Sequence, residues 1–258
     1  MVMVPYVSME MEHRTRMGVE FTTRSEGLGD VRAGALVKLW ESGGAHSAGH
    51  GGDAAEGHSH GNGGAEGAHH SLHANLGLSF PTGSITRRDQ TPASMGNNVR
   101  LPYPMQIGSG SYDFLPGLTY NGTDGSLSWG AQARGEVRLD DNHARYRQGN
   151  EYGLTAWGAW EWSDWLSTSL RTEWQHQLNY RGSDPSIGPM PTIPTKDPGR
   201  RAWMRLDFLV GVNLLMPSGP LEGIRLAVEA GVPAYQYLDG PGLETDWITT
   251  VGVQYGFH

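Results

Sequence analysis

The chain contains no cysteine, only two lysines (Lys38 and Lys196) against seventeen arginines, and no long apolar run. Each shortage removes a class of protein. Without cysteine there is no disulfide scaffold, no Cys-based zinc site and no thiol nucleophile. The best apolar stretch, Phe208 to Met216, is nine residues long and already contains Gly211 and Asn213. A spanning helix needs roughly 18 such residues, so a polytopic helical membrane protein is excluded. Positive charge is also scarce: a net charge of -8 and a pI near 5.7 argue against a nucleic-acid partner. No Gly-x-Ser-x-Gly elbow, phosphate loop or dinucleotide fingerprint occurs, and no enzyme is expected. The first twelve residues lack the basic n-region, apolar core and small-residue cleavage site of a secretory leader.

What the chain has in excess is glycine, 38 of 258 residues, about twice the usual share. Helical three-and-four spacing of apolar residues is nearly absent, while period two succeeds in segment after segment. From Ala202 to Met216 every even position is apolar, and the odd positions include Arg205, Asp207, Gly211 and Asn213. The same alternation runs through 127–139, 165–180 and 223–235. It predicts ten strands, at about 1–12, 27–41, 70–81, 108–121, 126–140, 150–162, 165–180, 201–216, 222–235 and 246–257. Several exceed the five or six residues usual in soluble sheets and suit a tilted membrane-spanning strand.

The connections sort into two kinds. Asn121 to Gly125, Ser163-Asp164 and Pro217 to Leu221 have the chemistry of tight turns, and they alternate with longer connections at 13–26, 82–107, 141–149, 181–200 and 236–245. Short turns at one end and long loops at the other is the layout of an outer-membrane barrel. Aromatics gather at strand ends: Trp129, Trp160, Trp162, Tyr180, Trp247, Tyr255 and Phe257 are the predicted interfacial girdle. The last strand alternates up to Phe257, like the C-terminal assembly signal of such barrels, with His258 added. The predicted partners are therefore outer-membrane lipid and, through that strand, the barrel-assembly machinery.

Periodicity alone leaves open whether the apolar face meets lipid or the core of a soluble barrel. The polar faces carry Arg32, Arg134, Glu136, Arg138, Arg171, Glu173, Arg205, Asp207, Arg225 and Glu229. Lysine would accompany arginine on a solvated outer face. Its near absence favours an arginine–carboxylate lattice lining a wet lumen, where glycine makes room for facing side chains.

The segments Val4-Pro-Tyr-Val7, Arg16-Met-Gly18, Gly27-Leu-Gly-Asp-Val31, Leu76-Gly-Leu-Ser-Phe-Pro-Thr-Gly83 and Gly110-Ser-Tyr-Asp-Phe114 resemble the outer-membrane transporters grouped as the MetA-pathway of phenol degradation family. The resemblance implies a transmembrane β-barrel in the outer membrane of a Gram-negative bacterium and passage of a small molecule. Members normally carry a signal peptide and further strands before the Pro-Tyr segment. The expectation is thus a single barrel domain over 1–258, with about ten strands here and twelve if two precede Met1.

One segment stands apart. Gly43 to His70 is a low-complexity Gly/Ala/His tract with His46, His50, His58, His60, His69 and His70, and His73 lies just beyond. Neutral imidazoles at these spacings could hold Zn, Cu or Ni weakly, which makes a barrel-anchored metal-binding protein the alternative to a passive channel that requires no cofactor. Met1, Met3, Met9 and Met11 share one strand face and read as lipid-facing.

Overall fold

The computed structural model describes residues 1–15, 17–43, 68–187, 193–218, 222–240 and 242–255. The chain is all β, with four single-turn 3₁₀ segments between strands. In order the strands are β1 (Val2–Met3), β2 (Tyr6–Arg14), β3 (Glu20–Leu28), β4 (Val31–Ser42), β5 (His69–Phe80), β6 (Arg88–Gln90), β7 (Asn98–Arg100), β8 (Asp113–Asp124), β9 (Leu127–Arg138), β10 (Tyr146–Arg147), β11 (Glu151–Ser163), β12 (Leu166–Gln177), β13 (Arg181–Gly182), β14 (Trp203–Leu215), β15 (Ile224–Leu238) and β16 (Ile248–Tyr255). Ten of them form one antiparallel sheet in the order β1-β4-β5-β8-β9-β11-β12-β14-β15-β16. Neighbours in that sheet are neighbours in sequence once the β2–β3 hairpin and the short loop strands are set aside, as in an up-and-down meander.

Nine of the ten predicted strands recur within a few residues of their expected ends, and the first does not. Only Val2 and Met3 pair with β4. Pro5 has no N–H to continue the ladder, and the chain leaves the sheet to build a separate hairpin in which β2 pairs with β3 from Tyr6↔Leu28 to Arg14↔Glu20. The segment 13–26, predicted as a connection, therefore contains a strand. Its inward positions are Thr23 and Ser25, both buried, so the alternation is of small polar residues and escapes a search for apolar ones. The four methionines are also divided, with Met1 and Met3 at the sheet and Met9 and Met11 on the hairpin.

Among the described residues β1 and β16 do not pair, so they form a large sheet with two free edges and not the closed barrel predicted. The immediate reason is the shortness of β1. It covers Arg32 and Ala33 of β4, and beyond them Ala35–Ser42 is exposed on both faces.

Elsewhere the two faces differ sharply, and in the reverse sense of a soluble sheet. On β14 Val210 is 61% exposed while Asp207 is 1% exposed. On β12 Leu170 is 60% exposed while Glu173 is buried. Asp113, Glu136 and Arg138 are buried as well. The chain hides charge and shows hydrocarbon. Among the described residues no helix is long and apolar enough to cross a membrane.

The two ends of the sheet also differ. At one end Gly125 and Ser126, then Asp164 and Trp165, close the hairpins β8–β9 and β11–β12. At the other end the long loops fold together. Ile85, Tyr103, Ala144, Tyr146 and Ile187 make a small apolar core there, with Tyr180 packed against it.

Candidate functional site: the charged inner face

Period two carries the charged side chains of seven strands to one face, and register decides which of them meet. Arg32 stands on β4, Asp113 on β8, Arg134, Glu136 and Arg138 on β9, Glu151 on β11, Arg171 and Glu173 on β12, Arg205 and Asp207 on β14, and Arg225 and Glu229 on β15. Two pairs of carboxylates fall directly opposite each other across strands, Glu136↔Glu151 and Glu173↔Asp207. Like charges in that position repel, and arginines from the surrounding strands offset the repulsion. Arg32 donates to both oxygens of Glu136 at 3.0 Å. Arg138 donates to Asp113 at 2.6 Å, to Glu151 at 3.2 Å and also to Glu136. Glu173 accepts from Arg134 at 2.8 Å and from Arg171 at 3.2 Å. Arg171 also holds Glu229, and Arg205 donates to Asp207 at 2.9 Å. The outcome is a belt of three groups of charge-assisted bonds lying side by side from β4 to β15: Arg32 and Arg138 with Asp113, Glu136 and Glu151, then Arg134 and Arg171 with Glu173 and Glu229, then Arg205 with Asp207.

Nine of the ten predicted lumen residues thus enter ion pairs; Arg225 lies on the same face, nearer the tight turns. Asp113 and Glu151 belong to the belt although the sequence did not single them out. Each is the first residue of its strand, where alternation has barely begun, and only its partner strand reveals its place.

Glycine has the expected use at two positions. A Cβ on Gly130 would lie 2.2 Å from the ring of Trp157, which crosses the inner face there. One on Gly153 would lie 2.9 Å from Nε of Arg134. Beyond the charged belt, towards the tight turns, neutral polar side chains join Arg225 on the inner face. Thr119 accepts from Asn75 at 2.9 Å and from Gln132 at 2.8 Å.

The long loops cap the belt. Asp30 accepts from the backbone N–H of Gly83 at 2.8 Å and of Ser109 at 2.7 Å, tying two loop segments to the start of β4. Gln148 donates to Gly108 at 3.1 Å. Arg100 and Asp184, both nearly fully buried, pair at 2.7 Å within the loops. Between cap and belt lies a cavity of about 350 Å³, lined by Asp30, Arg32, Tyr103, Gln106, Glu136, Arg138, Gln148, Glu151 and Tyr180 among others. That volume suits a small molecule. Burial raises the Tyr103, Tyr146 and Tyr180 phenols above the ordinary tyrosine range, so the loop core is neutral well into the alkaline.

Of the predicted girdle, Trp160, Trp162, Trp247 and Tyr255 are exposed on or beside the apolar face. Trp129 is partly covered by His70, whose ring meets it edge-on at 5.8 Å. Tyr180 is a correction: it turns into the loop core, 5.7 Å from Tyr103 and 6.1 Å from Tyr146. Phe257 lies outside the described residues. Further exposed aromatics complete two rows. Trp40 and Trp165 join the row at the tight-turn end, and Tyr112, Tyr152, Tyr235 and Tyr237 join Trp247 at the loop end.

Of the predicted metal ligands, His46, His50, His58 and His60 lie outside the described residues. His69 is 2.7 Å from Glu41, and His70 is 2.8 Å from the Tyr120 hydroxyl, on the apolar face. Among the described residues no three His, Asp or Glu side chains converge on a position that could hold a metal ion.

Among curated proteins no match to the chain is found. The family described as MetA-pathway of phenol degradation matches residues 1–197, which include the β2–β3 hairpin, the loop cap and the charged strands β4 to β12. With three quarters of its length so matched, and with the all-β architecture that its sequence resemblance implied, the chain belongs to the MetA-pathway of phenol degradation family.

Proposed function

We propose that this chain forms a transmembrane β-barrel in the outer membrane of a Gram-negative bacterium and lets small polar molecules diffuse through its charged interior. The observation that carries the proposal is the inverted burial. Water penalises an exposed face bearing Leu170, Phe208, Val210, Val228 and Val232, and lipid does not. Buried ion pairs contribute little to stability compared with apolar side chains of similar volume, so a belt of them calls for another role. Lining an aqueous passage supplies one. The two aromatic rows fit the two membrane interfaces.

Strand directions bear on closure. β4 and β16 are separated by eight antiparallel steps and so run the same way. An all-antiparallel barrel then needs an odd number of strands between them: one gives ten in all and three give twelve. A strand continuing the register of β1 would lie along Ala35–Ser42 of β4, the stretch now exposed on both faces. β16 would present its free edge to the closing strand, and is the part of the chain an assembly machine would engage. The passage involves no chemical step. The loop cap and the cavity beneath it lie across that passage, and the solute crosses between Tyr103 and the Arg32–Glu136–Arg138 cluster, which line the cavity.

The test is physical. The full chain should need detergent or lipid to remain dispersed, should migrate differently on a gel before and after boiling, and should produce stepwise currents in a planar bilayer. A chain that stays monomeric in buffer without detergent and gives no current would refute the proposal.

A further inference from the structure

The belt pairs five arginines with Asp113, Glu136, Glu151, Glu173, Asp207 and Glu229, and Arg225 on the same face makes the count even, but the charges are not equally placed. Where arginine and carboxylate meet across or along strands, the arginine is the more exposed member. Arg32 is 36% exposed against 9% for Glu136, Arg134 is 45% against 12% for Glu173, and Arg205 is 22% against 1% for Asp207. Arg171 likewise stands out above Glu173 and Glu229. The carboxylates form the floor of the belt, against the sheet, and the guanidiniums form its surface. The exception is Arg138 at the loop end, which is less exposed than both Glu136 and Glu151. Geometry explains the order, because the long arginine side chain reaches over the shorter carboxylates of neighbouring strands.

From this layering we infer that the passage selects for anions and that its preferred solutes carry a carboxylate or a similar oxyanion. A solute in the lumen meets positive charge first and negative charge only behind it, so the local potential is positive although the whole chain carries -8. Donors are also available. Among the described residues Arg134 commits only Nη2 to Glu173, and a guanidinium has five N–H donors in a fork that fits a carboxylate. The inference rests on the passage proposed above, and the experiment separates the two.

The wild-type chain is reconstituted in planar bilayers under a tenfold potassium chloride gradient, and the reversal potential is read. A positive lumen should favour chloride over potassium at least about threefold at low ionic strength. Replacing chloride with acetate should preserve the sign of the preference. The double variant Arg32→Gln and Arg134→Gln should lower the ratio by at least about half. Both removals leave the carboxylate partner paired, Glu136 with Arg138 and Glu173 with Arg171. Heat-modifiable migration checks that the variant has folded; Arg134→Gln alone serves if the double variant does not. A wild-type pore that is unselective or prefers potassium overturns the anion assignment while the channel stands. Selectivity unchanged in the variants overturns the role given to these arginines. Absence of any current in the wild type overturns the passage itself.

Discussion

Replacing Arg138 with methionine probes the belt at its most buried point. The guanidinium is 4% exposed and holds Asp113, which is fully buried, together with Glu136 and Glu151. After the substitution Glu136 keeps Arg32 at 3.0 Å, and Glu151 is exposed enough to take water. Asp113 is left with the hydroxyls of Ser109 at 3.1 Å and Ser111 at 2.7 Å, and with no cation. Removing one partner of a buried ion pair costs about 3–5 kcal/mol, most of it the penalty of the charge left behind. With one orphan, partly solvated by two hydroxyls, the low end applies, about 3 kcal/mol. Arg134→Gln is the comparison. Arg134 is half-exposed and Glu173 retains Arg171, so its loss should cost no more than about 1 kcal/mol. Urea unfolding in lipid vesicles, followed by tryptophan fluorescence and the heat-modifiable band, reads both. Adding Asp113→Asn to Arg138→Met should restore part of the loss, because a neutral amide no longer requires the cation. The reasoning is refuted if Arg138→Met is no more destabilising than Arg134→Gln, or if Asp113→Asn gives no recovery.

Three other perturbations test separate parts of the structure. Val210→Arg on the apolar face should cost about 2–4 kcal/mol in a bilayer if the site lies near the midplane. An unchanged or improved stability, together with better solubility in plain buffer, would mean that this face meets water. Gly130→Ala forces a contact with Trp157 and should cost about 1–3 kcal/mol by overpacking, less in a Trp157→Leu background; equal losses in both backgrounds would show that the ring is not the obstacle. The loop core should loosen at high pH. Its tyrosines have folded values above the unfolded value of 10.0, so their contribution is complete below pH 10.0 and is lost as pH rises toward those folded values. Tyrosinate absorbance at 295 nm should therefore lag behind that of unfolded chain. Ordinary titration near pH 10 for every tyrosine would contradict the packing of Tyr103 and Tyr146.

Nine of the ten predicted strands, the tight turns at 125–126 and 164–165 and most of the membership of the two faces were legible in the sequence. Successive side chains on a strand must alternate, so the apolar set from Phe208 to Val212 and the charged set from Arg134 to Arg138 announce themselves locally. The sorting of short turns from long loops was legible too, because turn chemistry is a matter of a few adjacent residues. Pairing is different. That Glu136 faces Glu151, that Arg138 serves three carboxylates and that arginine lies above its partners depend on the register of strands brought together across the chain. Nothing in a strand's own periodicity encodes its register with a distant neighbour, although once one pairing is set the face rule constrains it. The departure at Pro5, the hairpin of β2 and β3, and the inward turn of Tyr180 are decided likewise by what the loops find to pack against. Local alternation established a sheet with one greasy and one charged face. The scarcity of lysine pointed to the charged face as the inner one, but only the assembled structure decided that it is the buried one, because burial is a property of neighbours and not of residues.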